Sequence, residues 1–396
     1  MTHGEVIEYS AQLVGSQKDT EEDVMGYIYP HCPVEILAAH GFTASLLKAV
    51  PEIKGGFESS LQTFACSLTR NLFSQRQNGT LPPLDGILFP GNTCDSLQNV
   101  GDVWKKRFPE DKVFRLTYPA IIDRNAAIEF LSSELRLLSN KLEIRYGRAL
   151  SETKLSDAIS LWNQFRNMTQ FAYAARILNP TVVSYSTLSR RARNFLSHPS
   201  LRNLDPLRKL VTKIEREMDL EAVKRLQNGL LKERLSGLDF TFDDSKTRLL
   251  VAGGMVEPAA ISELLEPSQK LQDVDIVLDL LSYGFKTVFT PPIHEENLFD
   301  STAKSMLHSP LEPTQEGLTR RMEMLKEYLT QLKIDGIVVC EQSFCDPDQF
   351  EAPSMIRVAR KLSIPATRLP LDPELSDRSR IEGRLQTLVE SIHGGK

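Results

Sequence analysis

Compact apolar runs alternate with amphipathic stretches near both ends of the chain, and the middle has no such alternation. From Asp23, VMGYIY predicts a strand, and Pro33 opens a helix in a first turn that needs no N–H from it. A second helix is expected from Gln62 to Arg76. LDGILF then gives a buried strand from about Leu84 to Phe89, behind Pro82-Pro83. Gly91-Asn92 turns the chain, a helix runs from Asp95 to about Phe108, and VFRLTYP is the next strand. Strands alternating with helices predict a mostly parallel, doubly wound sheet.

From about Asn125 to Leu235 the period is helical throughout. Leu155, Ile159, Trp162, Arg166 and Thr169 form one stripe of a long helix over residues 152–178. Pro180, Pro199 and Pro206 punctuate the stretch that follows. Between Tyr185 and Leu235, Lys and Arg outnumber Asp and Glu two to one, which suits a solvated helical face or an anion site. The α/β rhythm returns near Thr247. LLVAGG and VDIVLDL read as strands, Glu316 to Lys333 as a helix and DGIVVC as a buried strand. Helices at Pro353–Leu362 and Ser379–Ile392 flank a short strand near Ala366. The expected organisation is a loose lead-in over 1–22, an α/β lobe over 23–124, a helical region over 125–240 and a second α/β lobe over 241–396.

Composition narrows the function classes. The 396 residues are 41% hydrophobic and 25% charged, which excludes disordered and fibrous chains. A net charge of −5 offers no basic domain for nucleic acid or an anionic membrane. No apolar run approaches the ~18 residues a membrane span needs. The polar N-terminus lacks a secretory core, so a cytoplasmic location is expected. Five cysteines, odd in number and sparse, do not make a disulfide framework. They are either inert core thiols or ligands.

Two distant segments resemble each other. LDGILFPGNTCD (84–95) and IDGIVVCEQSFCD (334–346) each run from Asp-Gly through an apolar strand and a polar loop to Cys-Asp. Ligands bind beyond the carboxyl ends of such strands. Two sheets facing one another would therefore bring Cys94 and Cys345 into one cleft, and Cys66, at the head of a helix, is placed to join them. A helix N-terminus favours the metal-binding thiolate. Scattered cysteines do not match the CxxC pairs of closed zinc sites. They suit an iron–sulfur cluster with one iron not held by cysteine. Spacing alone leaves both readings open, ligands or ordinary buried thiols.

GYIYPHCPVEILAAHGF, LQTFACSLTRNL, LPPLDGILFPGNTCDSLQNVGDVWK and DGIVVCEQSFCDPDQFEAPSM occur in that order, with a helical middle containing ALSETKLSDAISLWNQFR. In these segments the chain resembles the 2-hydroxyacyl-CoA dehydratase and benzoyl-CoA reductase family over about residues 23–393. The resemblance implies two Rossmann-like lobes holding a [4Fe–4S] cluster on Cys66, Cys94 and Cys345. It also implies a homologous second subunit, an acyl-CoA substrate and an ATP-dependent iron–sulfur activator that injects one electron. In the dehydratases that electron gives a ketyl radical anion at the thioester, which expels the 2-hydroxyl group. In the benzoyl-CoA branch the electrons reduce the ring. A subunit that only relays an electron is a third possibility.

The match has departures. Tyr29-Pro30 stands where many members carry Cys-Ser, with Cys32 nearby, and SDRSRIEGR keeps Arg380, Ile381 and Glu382 but lacks a preceding Gly-Gln. Glu35, beside the family's active-site region, is the acid–base candidate, although the helix dipole alone explains a carboxylate there. Arg70 completes Cys-x-x-x-Arg and could hold a CoA phosphate or the cluster's charge. His31 and His40 read as satisfied polar residues, Cys340 as core, and Asp95 and Asp346 as helix caps. Asp279 has no role readable from sequence.

Overall fold

A computed structural model describes residues 23–394 apart from 52, 54, 123–124, 244, 266–272, 295–296 and 374–376. The lead-in expected over 1–22 lies outside the described residues. Strands β1 (Asp23–Tyr27), β2 (Phe42–Leu46), β3 (Gly86–Gly91) and β4 (Lys112–Thr117) form a parallel sheet in the order β2-β1-β3-β4. Strands β5 (Thr247–Ala252), β6 (Val274–Leu280), β7 (Gly336–Gln342) and β8 (Ala366–Leu371) form a second, in the order β6-β5-β7-β8. Helices flank both sheets and make up the middle of the chain, so the α/β architecture with two doubly wound lobes and a helical centre stands.

The two sheets repeat one construction. The Asp85 carboxylate accepts the Val24 N–H at the start of β1, and Asp335 accepts the Arg248 N–H at the start of β5, both at 2.9 Å. Each Asp precedes the third strand of its lobe, and β3 and β7 are buried along their whole lengths, as their apolar runs require. One apolar cluster joins the first sheet, the helical centre and one face of the second sheet. A smaller cluster, including Val251, Val338 and Leu369, covers the other face of the second sheet.

The helical centre is keyed to both lobes. Ser151 caps the helix Glu152–Leu178, accepting the Lys154 N–H, and its buried face includes Trp162, Phe165 and Ala172. Phe165 stacks on Phe195 of the helix Tyr185–Ser197 with ring centres 4.2 Å apart. Arg176, fully buried, donates to Asp275 and to the Ile276 carbonyl, and Arg248 donates to the Ile177 carbonyl at 2.7 Å. Among the described residues no helix is long and apolar enough to cross a membrane.

Some boundaries differ from expectation. The helix expected from Gln62 begins at Ser67, because the Ser67 N–H is taken by the Ser343 carbonyl of the second lobe at 3.0 Å. The helix expected from Pro353 begins at Asp346 and carries Pro353 inside it, held by buried Ala352, Met355 and Ala359. Pro206 likewise lies within the helix Leu201–Glu217 instead of interrupting it. Strand β2 and the helices Pro258–Leu265 and Leu298–Leu307 had no distinct sequence signal.

Candidate metal centre

Cys66, Cys94 and Cys345 each occupy the N-cap of a helix: Ser67–Gln77, Asp95–Arg107 and Asp346–Lys361. All three line one cleft of about 390 Å³. None of the three thiols makes a capping hydrogen bond, but first-turn N–H groups near each act to lower its pKa: Leu68 and Thr69 at Cys66, Ser96 and Leu97 at Cys94, and Asp348 at Cys345. Backbone donors and the helix dipole favour a negative sulfur.

The thiols also sense each other. A hydrogen bond from the Cys345 thiol holds the Cys66 thiol below the ordinary value, and the shared proton raises Cys345. Burial pushes Cys94 up to about 12, against its two backbone donors, with Cys66 adding to the rise. Cys94 and Cys345 are thus held as neutral thiols, and a bound cation would be needed to bring all three to the thiolate form. Among the described residues, no group of three or more His, Cys, Asp or Glu is arranged for a single metal ion. The donor set is soft, all sulfur and anchored on three helix heads, which suits a multinuclear iron–sulfur core.

The opposite wall comes from a fourth helix, Leu318–Gln331, whose N-cap is Gly317 with φ +103°. Its Leu318 and Arg321 line the cleft. Arg321, buried, donates to both carboxylate oxygens of Glu351 at 2.9 and 3.1 Å and to the carbonyls of Gln315 and Glu316. Sequence reading missed Gly317, Arg321 and Glu351. The available signal was Arg four residues after each helix head, Cys66 to Arg70 and Gly317 to Arg321. Phe344, Phe350 and Leu318 also line the cleft and are exposed.

Asp95 and Asp346 line the cleft too, as the first residues of their helices and not as the caps expected, since Cys94 and Cys345 hold the N-cap positions. The remaining candidates fall outside this lining. Arg70 lies against the rings of Phe57 and Phe344, 5.2 and 5.1 Å from their centres, and donates to the Thr63 carbonyl. It reaches the cleft only through Phe344. Glu35 is buried in the first turn of the helix Val34–Ala39, accepting from Arg166 at 2.6 Å, and lines a separate small cavity with His31. Cys32 and Cys340 are buried away from the cleft lining, and burial raises both thiols. His40 is satisfied: its Nδ1–H donates to the Arg148 carbonyl and its Nε2 accepts from Ser139. His31 is buried 3.9 Å from the Glu312 carboxylate. Asp279 organises the turn Ser282–Lys286, accepting from Tyr173, Leu281 and Phe285. Tyr29, in place of the expected Cys-Ser, hydrogen-bonds Thr314 on the cleft wall at 3.1 Å.

Residues 30–392 match the family described as 2-hydroxyglutaryl-CoA dehydratase, D-component. The chain is 24% identical over 384 residues to the beta subunit of lactoyl-CoA dehydratase from Anaerotignum propionicum, covering 94% of this chain and 93% of that one. It is 20% identical over 381 residues to the beta subunit of (R)-phenyllactyl-CoA dehydratase from Clostridium sporogenes (96% and 94% covered). A benzoyl-CoA reductase subunit from Thauera aromatica is 21% identical over 399 residues (98% and 95% covered). The named relatives are all enzyme subunits. A cysteine cleft shared by two lobes and a family match over nearly the whole chain lead to one conclusion: this chain belongs to the 2-hydroxyglutaryl-CoA dehydratase D-component family.

Proposed function

We propose that the chain is an iron–sulfur subunit of a 2-hydroxyacyl-CoA dehydratase, with Cys66, Cys94 and Cys345 as the ligands of a [4Fe–4S] cluster. The observation that carries this is the meeting of three helix-capping cysteines, from both lobes, on one cleft. When bound, the cluster supplies one-electron transfer to the thioester, the chemistry that makes an unreactive C3–H acidic. The chain's own contributions are positional. First-turn N–H groups offset the negative charge of the thiolates, and the buried Arg321–Glu351 pair fixes the opposite wall. Exposed Phe344, Phe350 and Leu318 around the cleft support a partner protein seated over it. A homologous subunit and an ATP-dependent activator are the partners proposed.

Anaerobic iron and sulfide analysis tests the reading. Wild type should be brown, with about four irons per chain. Cys66→Ala, Cys94→Ala and Cys345→Ala should each lose the colour, whereas Cys340→Ala should keep it. Iron-free wild type after anaerobic reconstitution overturns the proposal. Similarity to a subunit of benzoyl-CoA reductase supports aromatic-ring reduction as the second reading. Turnover of 2-hydroxyacyl-CoA against benzoyl-CoA, with partner and activator present, separates the two.

A further inference from the structure

A second cavity, about 200 Å³, opens on the other side of the Gln342–Cys345 turn. Its walls come from beyond the carboxyl ends of β2, β5, β7 and β8 and from the helix Tyr185–Ser197. That is where doubly wound sheets bind ligands. Most of its lining is apolar, including Ala49, Val256, Ala260, Ile261 and Leu371. A dry apolar cavity of about 150 Å³ accepts benzene, so this one has room for a ring or a short branched chain.

Several of its buried polar groups have no hydrogen-bond partner. Gln342 Oε1 and both Glu257 carboxylate oxygens are buried and accept no hydrogen bond, although their residues are only 5% and 7% exposed. Arg193 balances the Glu257 charge at 3.0 Å but directs its terminal N–H groups to the Leu46 and Leu47 carbonyls. Arg193 Nε, a donor, is likewise buried without a partner, so the cavity calls for a ligand group that both donates and accepts, as a hydroxyl does. A carboxylate on the side chain would lose its water against the apolar walls and lie near Glu257 and Asp372. Gln342 also stands three residues before Cys345, and the Ser343 carbonyl between them receives the Ser67 N–H beside Cys66.

We infer that this cavity takes the uncharged side chain of a 2-hydroxyacyl thioester, whose hydroxyl donates to Gln342 Oε1, and that it selects against dicarboxylic acyl groups. The inference rests on the thioester reading above and adds a specificity to it. Exposed Arg190 and half-buried Lys48 line the same cavity and add positive charge on the side where CoA phosphates would lie.

Calorimetric titration of the anaerobic full-length protein tests it with three probes: phenyllactyl-CoA, 3-phenylpropanoyl-CoA, which lacks the hydroxyl, and 2-hydroxyglutaryl-CoA. Phenyllactyl-CoA should bind about tenfold or more tighter than either of the others. Ala260→Phe, which fills the cavity, should cost phenyllactyl-CoA about tenfold, with iron content unchanged. Gln342→Leu should erase the preference for the hydroxylated probe while leaving the discrimination against 2-hydroxyglutaryl-CoA. Equal binding of the three probes by wild type overturns the inference, as does an Ala260→Phe protein of native circular dichroism that binds as wild type does. Iron content is read on the same samples. Iron-free protein that still discriminates sinks the cluster and keeps the cavity, and iron-replete protein that does not discriminate does the reverse.

Discussion

The two lobes are built alike and equipped differently. In each, an Asp-Gly pair starts the third strand, the Asp carboxylate ties down the neighbouring strand, and a cysteine caps the helix that follows. The helix before that strand also aims its head at the shared cleft in both lobes. In the first lobe the head is Cys66 and in the second it is Gly317. The arginine four residues on differs in kind: Arg70 rests on two aromatic rings, whereas Arg321 is buried against Glu351. A repeated frame thus supplies four equivalent posts, and only three carry sulfur. Under the proposed cluster, that one unmatched position would leave one iron without a cysteine.

Breaking the paired positions one at a time measures how far the likeness goes. Arg321→Ala should be the costliest change, about 3–5 kcal/mol in denaturant unfolding, because it strands the buried Glu351 carboxylate. Arg70→Ala removes two ring contacts and one hydrogen bond to the Thr63 carbonyl and should cost about 0.5–2 kcal/mol. Equal costs at the two positions would break the contrast. Asp85→Ala and Asp335→Ala should each lose about 1–3 kcal/mol, since each leaves a strand N–H unpaired. A large difference between them would show that the two strand starts are not equivalent. Gly317→Ala should cost about 1–2 kcal/mol from backbone strain, with displacement of Leu311 Cδ1 adding to it, read in the same unfolding experiment.

The smallest effect concerns His31, which the first lobe inserts against Glu312 and Lys286 of the second. Burial lowers its pKa below the ordinary value, with Glu312 opposing that shift and Lys286 adding to it. Tyr29 packs edge-on against its ring. The neutral ring is therefore the folded form. Its stabilising contribution is complete above the unfolded value of about 6.5 and is lost as pH falls toward the folded value. His31→Gln should flatten the loss of stability below about pH 6.5. An unchanged slope would mean that the ring is solvated.

Much of this was legible in the chain. The whole-length apolar runs of β3 and β7 declared buried parallel strands, and the Asp-Gly to Cys-Asp echo declared two related lobes. The long stripe through Trp162 and Phe165 declared the central helix. What stayed hidden depends on contacts between distant segments. Gln62 to Ala65 are ordinary helix formers, and only the hydrogen bond from Ser67 to Ser343 delays that helix and leaves Cys66 at its head. Gly317 could not be matched to Cys66, because the two helices share little beyond a later arginine. The acceptors of the second cavity were equally silent, since Glu257 and Gln342 acquire their meaning from groups that fail to reach them.

The turn at Gly317 resists the addition of a side chain to this wall of the cleft. Its φ of +103° strains any side chain there, and a Cβ would lie 2.7 Å from Leu311 Cδ1, which must shift to admit it. A single codon change to cysteine would bring a distorted loop with its thiol. A fourth sulfur for the proposed cluster would thus need residues 311–317 rebuilt together and not a single substitution.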